Sequence, residues 1–572
     1  MRSSHAPVIA IQPCDPSGRR VTAPDRVPWF ARGLRPMALL PLMLLGGCVA
    51  PTHLGTTAVT RQTAASGAAG ATLDAAARAN PLAFLDRIGW GADSAQLSQL
   101  QREGADRMLE AQLRPDPHPV LPPQVAQTLA TLPVNAPPVA LMPPLIIEER
   151  AIEMAKRHAG NDTDAQSMQT QLKALFRRMN TLTQQAMTEQ LLLAIYSPDQ
   201  LKQRLIWFWT NHFNVFRSGN VGPMMADYTQ RVIAPHALGH FRALLQATMF
   251  SPQMLLYLNN AQNAHDHINE NYAREVMELH TVGLGADYTQ TDVTNLAHVL
   301  TGLGVDLADR PIRVRPALRN QLWQHGLVIF NPARHDPEPE RVMGHMLQGR
   351  GLDDIEHVIT LLADDPATAQ HVSFELAQYF AGSHPDPAMV RAMVCSWQRT
   401  DGDIAAVLRT LFTSPQFAAS LSQPQLKDPM RYVVSAVRAS FNGRIINNVQ
   451  PLIGMLYRLG EPLYGRETPD GYPLDSGAWD GPGQLVTRFE VAGQLAAGAP
   501  ALFRPAPSAP SAGATPRPLP PPHQPPPELS GSPVYLAAEP TLSRATLESL
   551  AQADNRVRWN ALWLASPEFM TH

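Results

Sequence analysis

The chain has 572 residues, of which 44% are hydrophobic and 17% are charged, and its net charge is -3. A chain of this length can hold more than one domain, and its apolar content is sufficient for a sizeable core. The absence of basic or acidic runs argues against nucleic acid as a partner. The 54 prolines fall in clusters, which predicts extended segments between helical ones.

The first 47 residues have the order of regions that is typical of a secretory signal peptide. Several arginines precede an uncharged and largely apolar segment over 36–47, which ends in two glycines directly before Cys48. This segment is too short to span a bilayer. Small residues before a cysteine are typical of a lipoprotein signal, in which cleavage leaves an acylated cysteine as the new N-terminus. We therefore expect residues 1–47 to be removed and Cys48 to carry the lipid.

The lipid on Cys48 would make a membrane the first partner of the exported protein. The next residue is Val49, whereas an aspartate at that position would favour retention in the inner membrane of a Gram-negative cell. We therefore expect an outer-membrane location, facing the periplasm or the exterior. A further, unidentified envelope partner is compatible with this location.

Composition divides the rest of the chain. Residues 48–79 are rich in Ala, Thr and Gly, which predicts a flexible tether, and 80–503 form the predicted helical domain. The ten prolines in 115–144 predict an extended connection within that domain. Eleven prolines lie in 505–527, and they predict a disordered insertion over 504–531. Helical patterning returns in 532–572, so we expect this segment to rejoin the domain.

Periodicity and capping signals predict a mainly α fold, a single large multi-helical domain without a convincing series of strands. Ser197-Pro198-Asp199-Gln200 has the pattern of a capping box at the start of one helix. Thr289 and Asp292 predict the start of another helix, which should run through Leu300 and end near Gly302.

Several short motifs, distributed from about residue 81 to the end, belong together. They are Arg87-Ile88-Gly89-Trp90-Gly91, Phe208-Trp209-Thr210-Asn211-His212-Phe213, Asn269-Glu270-Asn271-Tyr272-Ala273-Arg274-Glu275, Glu278-Leu279-His280-Thr281, Tyr288-Thr289-Gln290, Thr301-Gly302, His335-Asp336 and Ala565-Ser566-Pro567-Glu568-Phe569. This combination resembles the bacterial family catalogued as domain of unknown function number eighteen hundred. The resemblance implies a secreted, mainly helical protein, and it supplies no catalytic residues. The chain departs from the family pattern in its proline-rich insertion and at His298 and Leu303, where we expect Arg and Trp.

The central motif can be interpreted in two ways. On a helix, Glu270, Asn271, Arg274, Glu275 and Glu278 share one arc, and apolar side chains occupy the opposite arc. This arc could be a solvated face stabilised by pairs four residues apart. It could instead be a buried network, in which Arg274 keeps the carboxylates ionised while Glu275 or Glu278 serves as a base or metal ligand. We predict the buried network.

Three histidines are further candidates. His212 follows a run of aromatic residues, and a buried imidazole there requires hydrogen-bond partners. His280 lies about 200° around the helix from Glu278, so a regular helix cannot direct both at one metal. His335 precedes Asp336 in a loop with flanking proline, where the aspartate could orient a histidine or close a turn.

Two functional hypotheses follow. The first is a hydrolase, metal-assisted or acid/base, that uses Glu275 or Glu278 with His212, His280 or His335. The second is a non-catalytic binding or assembly lipoprotein. In both, we expect a polar pocket around Asn269–His280, and a divalent metal is the candidate cofactor. The residues that we expect to bind there are Glu270, Asn271, Arg274, His335 and Asp336. Convergence of three or more of these side chains in a cleft would favour the enzyme. The chain has no GxSxG, P-loop or CxxC motif, which argues against serine hydrolases, nucleotide-binding proteins and zinc ribbons.

Overall fold

Capping side chains determine where many helices of this protein begin. The predicted capping box is confirmed, because Thr289 accepts the Asp292 amide and the Asp292 side chain accepts the Thr289 amide. Elsewhere an Asp or Ser N-cap followed by proline at the first helical position recurs, as at Asp365-Pro366. The box predicted at Ser197 is wrong: Ser197 ends the preceding helix, and the next one begins at Gln200 without a side-chain cap.

The computed structural model describes residues 72–308, 310–505 and 524–572. The α-helices in these ranges are α1 (Leu73–Ala79), α2 (Pro81–Ile88), α3 (Ser94–Glu103), α4 (Ala105–Leu113), α5 (Pro123–Ala130), α6 (Pro138–Arg157), α7 (Asp162–Tyr196), α8 (Gln200–His212), α9 (Met225–Asp227), α10 (Phe241–Met249), α11 (Pro252–Tyr257), α12 (Asn271–Glu278), α13 (Gln290–Val299), α14 (Leu352–Asp364), α15 (Pro366–Ala381), α16 (Pro387–Thr400), α17 (Ile404–Phe412), α18 (Pro415–Ser420), α19 (Pro429–Ser440), α20 (Gln450–Arg458), α21 (Pro482–Ala496), α22 (Pro533–Ala538), α23 (Arg544–Ala551), α24 (Arg556–Leu564) and α25 (Pro567–Met570). A π-helix spans Tyr228–Ile233.

Strands form two small sheets beside the helices. They are β1 (Leu303–Val305), β2 (Trp323–His325), β3 (Val328–Phe330), β4 (Glu340–Val342) and β5 (His345–Leu347). The first sheet is antiparallel in the order β1-β3-β2, and Leu303 and Trp323 both pair with Phe330. The second is the hairpin β4–β5. Since the described residues contain only these short strands, the predicted mainly α fold is confirmed.

The described residues belong to one compact unit. One large apolar core runs through it from α1 to α25, and a smaller apolar cluster lies between α6 and α7. Helix α24 packs against α21, so the segment after the proline-rich insertion returns to the same body.

Three predicted boundaries need correction. Helix α1 lies inside the predicted tether and buries Leu73 and Ala77, so ordered structure begins earlier than residue 80. The proline cluster at 115–144 contains α5 and the start of α6, in which proline occupies the first turn and also two interior positions. Proline keeps a helical φ, so its cost there is limited to the missing donors and local crowding. In the predicted insertion over 504–531, the end at 524–531 packs on the domain: Leu529 is buried, and Asn560 donates to the Pro527 carbonyl.

The predicted signal peptide, Cys48 and most of the predicted tether lie outside the described residues. Within the described ranges, no helix is both long and apolar enough to cross a membrane.

Candidate functional site

His212 is the last residue of α8, a helix whose side chains are almost all buried. Its Nδ1 lies 2.7 Å from Glu375 Oε2, and its Nε2 lies 3.2 Å from the carbonyl oxygen of His280. The expectation that this imidazole is hydrogen-bonded is therefore confirmed. Donation from Nε2 to the carbonyl would leave Nδ1 directed at the carboxylate, as metal-binding histidines are often held.

Helix α15 places two further polar side chains, His371 and Glu375, beside His212. Asp365 accepts the Ala367 amide at 2.7 Å and fixes the start of the helix. His371 and Glu375 are four residues apart, so they project from the same face. His371 Nε2 lies 3.8 Å from Glu375 Oε1 and 3.2 Å from the Leu279 carbonyl oxygen.

His212, His371 and Glu375 form a compact group of potential metal ligands. One atom of each, either an imidazole nitrogen or a carboxylate oxygen, lies within 4.8 Å of the other two. His212 is buried, whereas the two residues of α15 are half-buried. Two nitrogens and one carboxylate oxygen form the ligand set of several catalytic zinc sites.

The group lies at the wall of a cleft with a volume of about 230 Å³. The segment after α20 also lines the cleft, to which it contributes Asp470, Tyr472 and Asp475. Asn211 holds this segment in place, because its side chain donates to the Tyr472 carbonyl at 2.9 Å and accepts the Tyr472 amide at 2.6 Å. The cleft therefore combines potential ligands with further carboxylates.

Burial and nearby charges shift the pKa values of Glu375 and of the neighbouring His280. Burial raises the pKa of Glu375, but the charges of His371 and His212 and the hydrogen bond with His212 outweigh it and lower the pKa below its ordinary value. His280 is fully buried beside His212, with 6.1 Å between the ring centroids. Burial, with His212 and His371 nearby, holds the pKa of His280 well below its ordinary value, which favours a neutral ring.

The charged arc of α12 lies at the surface, so the predicted buried network is wrong. Arg274 pairs with Glu270 at 3.1 Å and with Glu278 at 3.2 Å, and 34% of its side chain is exposed. Glu270 also accepts hydrogen bonds from Gln290 and Thr294. Half-exposed pairs of this kind contribute about 0.3–0.5 kcal/mol each. The reason is geometric: the apolar arc of α12 packs against the core, so the charged arc on the other side of the helix remains at the surface.

Two other predicted residues of the α12 region have separate positions. Asn271 donates to the Leu258 carbonyl at 3.2 Å, which is a structural role. Glu275 is half-buried, and burial, Glu278 and Asp470 raise its pKa while Arg274 opposes the shift. Because Asp470 lines the cleft, Glu275 is the α12 carboxylate that is electrostatically coupled to it.

His335 and Asp336 belong to a second cluster. His335 is buried, and its Nδ1 donates to the Thr301 carbonyl at 3.0 Å. Asp336 Oδ2 lies 2.7 Å from His298 Nδ1, and Glu340 Oε1 lies 3.9 Å from the same nitrogen. Of the predicted catalytic set, only His212 and His280 therefore come together, and they are joined by residues that were not predicted.

Sequence reasoning missed His371 and Glu375. The signal was their spacing of four residues within a helical segment, the same spacing that metal-binding pairs use.

A family model described as "Protein of unknown function (DUF1800)" matches residues 83–571. The chain belongs to this family. No curated protein and no solved structure matches it.

The first DUF1800 motif in the chain, residues 87–91, has a structural role. Arg87 is fully buried and donates to the carbonyl oxygens of Phe380 at 3.2 Å, Gln423 at 3.0 Å and His572 at 3.2 Å. Trp90 is equally buried, and Arg204 stacks on its ring at 4.9 Å. This motif connects the beginning and the end of the DUF1800 domain rather than lining the cleft.

Proposed function

We propose that this protein is a metal-assisted hydrolase whose centre consists of His212, His371 and Glu375. The observation that carries the proposal is the convergence of three potential ligand atoms, all within 4.8 Å of one another, at the wall of an open cleft. Catalytic metal sites typically use three protein ligands and leave a coordination position for water.

The surroundings of the three residues support a preorganised site. The His280 carbonyl lies 3.2 Å from Nε2 of His212, and a hydrogen bond to it would leave Nδ1 of the same ring directed at Glu375. Outer contacts of this kind orient ligands and tune their basicity. A divalent ion bound by these residues would acidify a water molecule and polarise the bond to be cleaved.

Further carboxylates in the cleft provide candidates for proton transfer. Asp470 and Asp475 line the same cleft as the three potential ligands. Burial, with Glu278 and Asp470 nearby, raises the pKa of Glu275, which suits a group that exchanges protons. Tyr472, which is half-buried, gives the cleft an aromatic side chain on which a substrate can pack.

The proposal is tested by metal analysis of the purified full chain. The chain is stripped with a chelator, loaded with Zn²⁺ or Mn²⁺, and desalted. We expect His371→Ala and Glu375→Gln each to bind one equivalent less than the unaltered chain, while the exposed His265→Ala, a matched control, binds the same amount. Equal metal content in all four proteins would overturn the metal centre.

Hydrolysis is measured on the same samples with chromogenic esters, phosphate esters and glycosides. We expect metal-dependent turnover of at least one of these substrate classes. The rate should fall by about 100-fold or more in Glu375→Gln, because one of the three metal ligands is lost. A chain that binds the ion at this centre but hydrolyses none of them would support the alternative, a non-catalytic binding or assembly lipoprotein.

We also propose that the protein is lipid-anchored through Cys48 in the outer membrane. The support is the order of basic, apolar and small residues before Cys48 and the valine after it. We expect Cys48→Ala to remain unacylated, as judged by labelling with a radioactive fatty acid, and to be absent from outer-membrane fractions. Recovery of this variant in the membrane after carbonate extraction would contradict the anchor.

A further inference from the structure

A second group of potential ligands lies away from the cleft, where the hairpin β4–β5 meets α13. His298 is in the last turn of α13, Asp336 is in the loop after β3, and Glu340 is the first residue of β4. One ligand atom of each lies within 4.8 Å of the other two. Their side chains are 27%, 16% and 19% exposed, so the group is partly shielded but accessible to an ion.

The backbone around these side chains is held in place by other residues. The Asp336 amide donates to Thr301 Oγ1 at 2.8 Å, and Thr301 Oγ1 donates to the His298 carbonyl at 2.6 Å. Asp336 Oδ1 accepts the Glu338 amide at 3.1 Å, which leaves Oδ2 directed at His298. The backbone at His298 and Asp336 is therefore held independently of the contact between their side chains.

The hairpin is fastened to α13 at two further points. Asn295 donates to the Arg341 carbonyl at 2.7 Å, and Asp292 accepts the Met343 amide at 2.7 Å. These bonds place Glu340 opposite His298 with 3.9 Å between Oε1 and Nδ1. This separation exceeds a hydrogen bond but suits two ligands of one ion, since metal–ligand distances are about 2.0–2.2 Å.

The charges of the group also favour a cation. Two carboxylates face a single imidazole, so even a protonated His298 would leave one negative charge unbalanced within the group. A simple ion pair between His298 and Asp336 would not need a second carboxylate, yet Glu340 also faces Nδ1 of His298.

We propose that His298, Asp336 and Glu340 bind a divalent cation that fastens the β4–β5 hairpin to α13. One imidazole nitrogen and two carboxylate oxygens suit Zn²⁺ or Mn²⁺ better than Ca²⁺ or Mg²⁺, which prefer oxygen ligands alone. This site is independent of the proposed catalytic centre, since the two groups share no residue.

The test uses the full chain carrying Glu375→Gln, so that the cleft does not contribute to metal content. After stripping and loading with Zn²⁺ or Mn²⁺, we expect this protein to retain one equivalent that is lost when Glu340→Gln is added. Addition of Glu338→Gln, an exposed neighbour in the same loop, should leave the equivalent in place. An equal metal content with and without Glu340→Gln, or none in either, would overturn the site.

A second variant separates loss of the ion from loss of the fold. His298→Arg introduces the residue that the family pattern leads us to expect, and its guanidinium would supply the positive charge between the same carboxylates. We expect this variant to bind no ion at this site while hydrogen exchange in β4 and β5 stays as slow as in the metal-loaded parent. In the parent, removal of the ion should accelerate that exchange, and exchange that is indifferent to metal would contradict the fastening role.

Discussion

Gly91→Ala is expected to destabilise the protein by about 3–5 kcal/mol, because strain and steric overlap act at the same position. Gly91 has a φ of 104°, which L side chains rarely adopt. A Cβ atom there would also lie 2.7 Å from the Cα of Ser435, in the backbone of the buried helix α19. Chemical denaturation of the variant and the parent measures the change in unfolding free energy.

Two other glycines provide matched controls. Gly285 has a φ of 87° with no atom within 4 Å of an added Cβ, so Gly285→Ala isolates the conformational strain and should cost about 1–2 kcal/mol. Gly454, exposed in α20, has helical geometry and equally open surroundings, so Gly454→Ala should stabilise by about 0.5–1 kcal/mol. If Gly91→Ala lowers the unfolding free energy no more than Gly285→Ala does, the close approach to α19 does not contribute to the effect.

Glu189→Gln is expected to stabilise the protein by about 3 kcal/mol at alkaline pH and to have little effect near pH 4.5. Glu189 lies in α7 with 7% of its surface exposed. Burial raises its pKa from 4.5 to about 7, although a hydrogen bond from Asn135 and the charge of Arg231 partly oppose the shift. Among the described residues, none donates a hydrogen bond to Oε2.

The direction of the effect follows from proton binding. Between pH 4.5 and about 7, the folded state holds a proton on Glu189 that the unfolded state has released. Stability therefore falls as pH rises through this window and remains low above it. Denaturant titrations at several pH values should show this fall in the parent but not in Glu189→Gln, whereas the exposed Glu103→Gln should follow the parent. Parallel curves for Glu189→Gln and the parent would contradict the raised pKa.

Much of the fold could be predicted because local signals were strong. The capping box at Thr289 and the helical periodicity of α8 depend on residues close in sequence, so they can be recognised without the tertiary structure. Proline density wrongly predicted an extended connection over 115–144, because proline is compatible with the first turn of a helix. The free-energy cost of the two interior prolines of α6 is offset by the packing of α6 on α7. Burial of Leu73 in α1 likewise depends on distant partners that no local pattern reveals.

The candidate site was less predictable, because it is assembled from distant segments. His212 and Glu375 are 163 residues apart in the chain and meet only through the packing of α8 and α15. The charged arc of α12 was predicted to be a buried network because its members are close in sequence. Closeness in sequence alone does not indicate burial. Periodicity correctly identified Tyr272 and Val276 as the core-facing side of that helix.

The guanidinium of Arg87 has a consequence for the biosynthesis of this protein. Its carbonyl partners at Phe380 and His572 lie 293 and 485 residues further along the chain. A growing polypeptide therefore cannot complete these hydrogen bonds before residue 572 has been synthesised. Contacts of such sequence separation slow the closure of a domain. Products of premature termination would lack these contacts and keep an incompletely packed body, which would make them substrates for proteases.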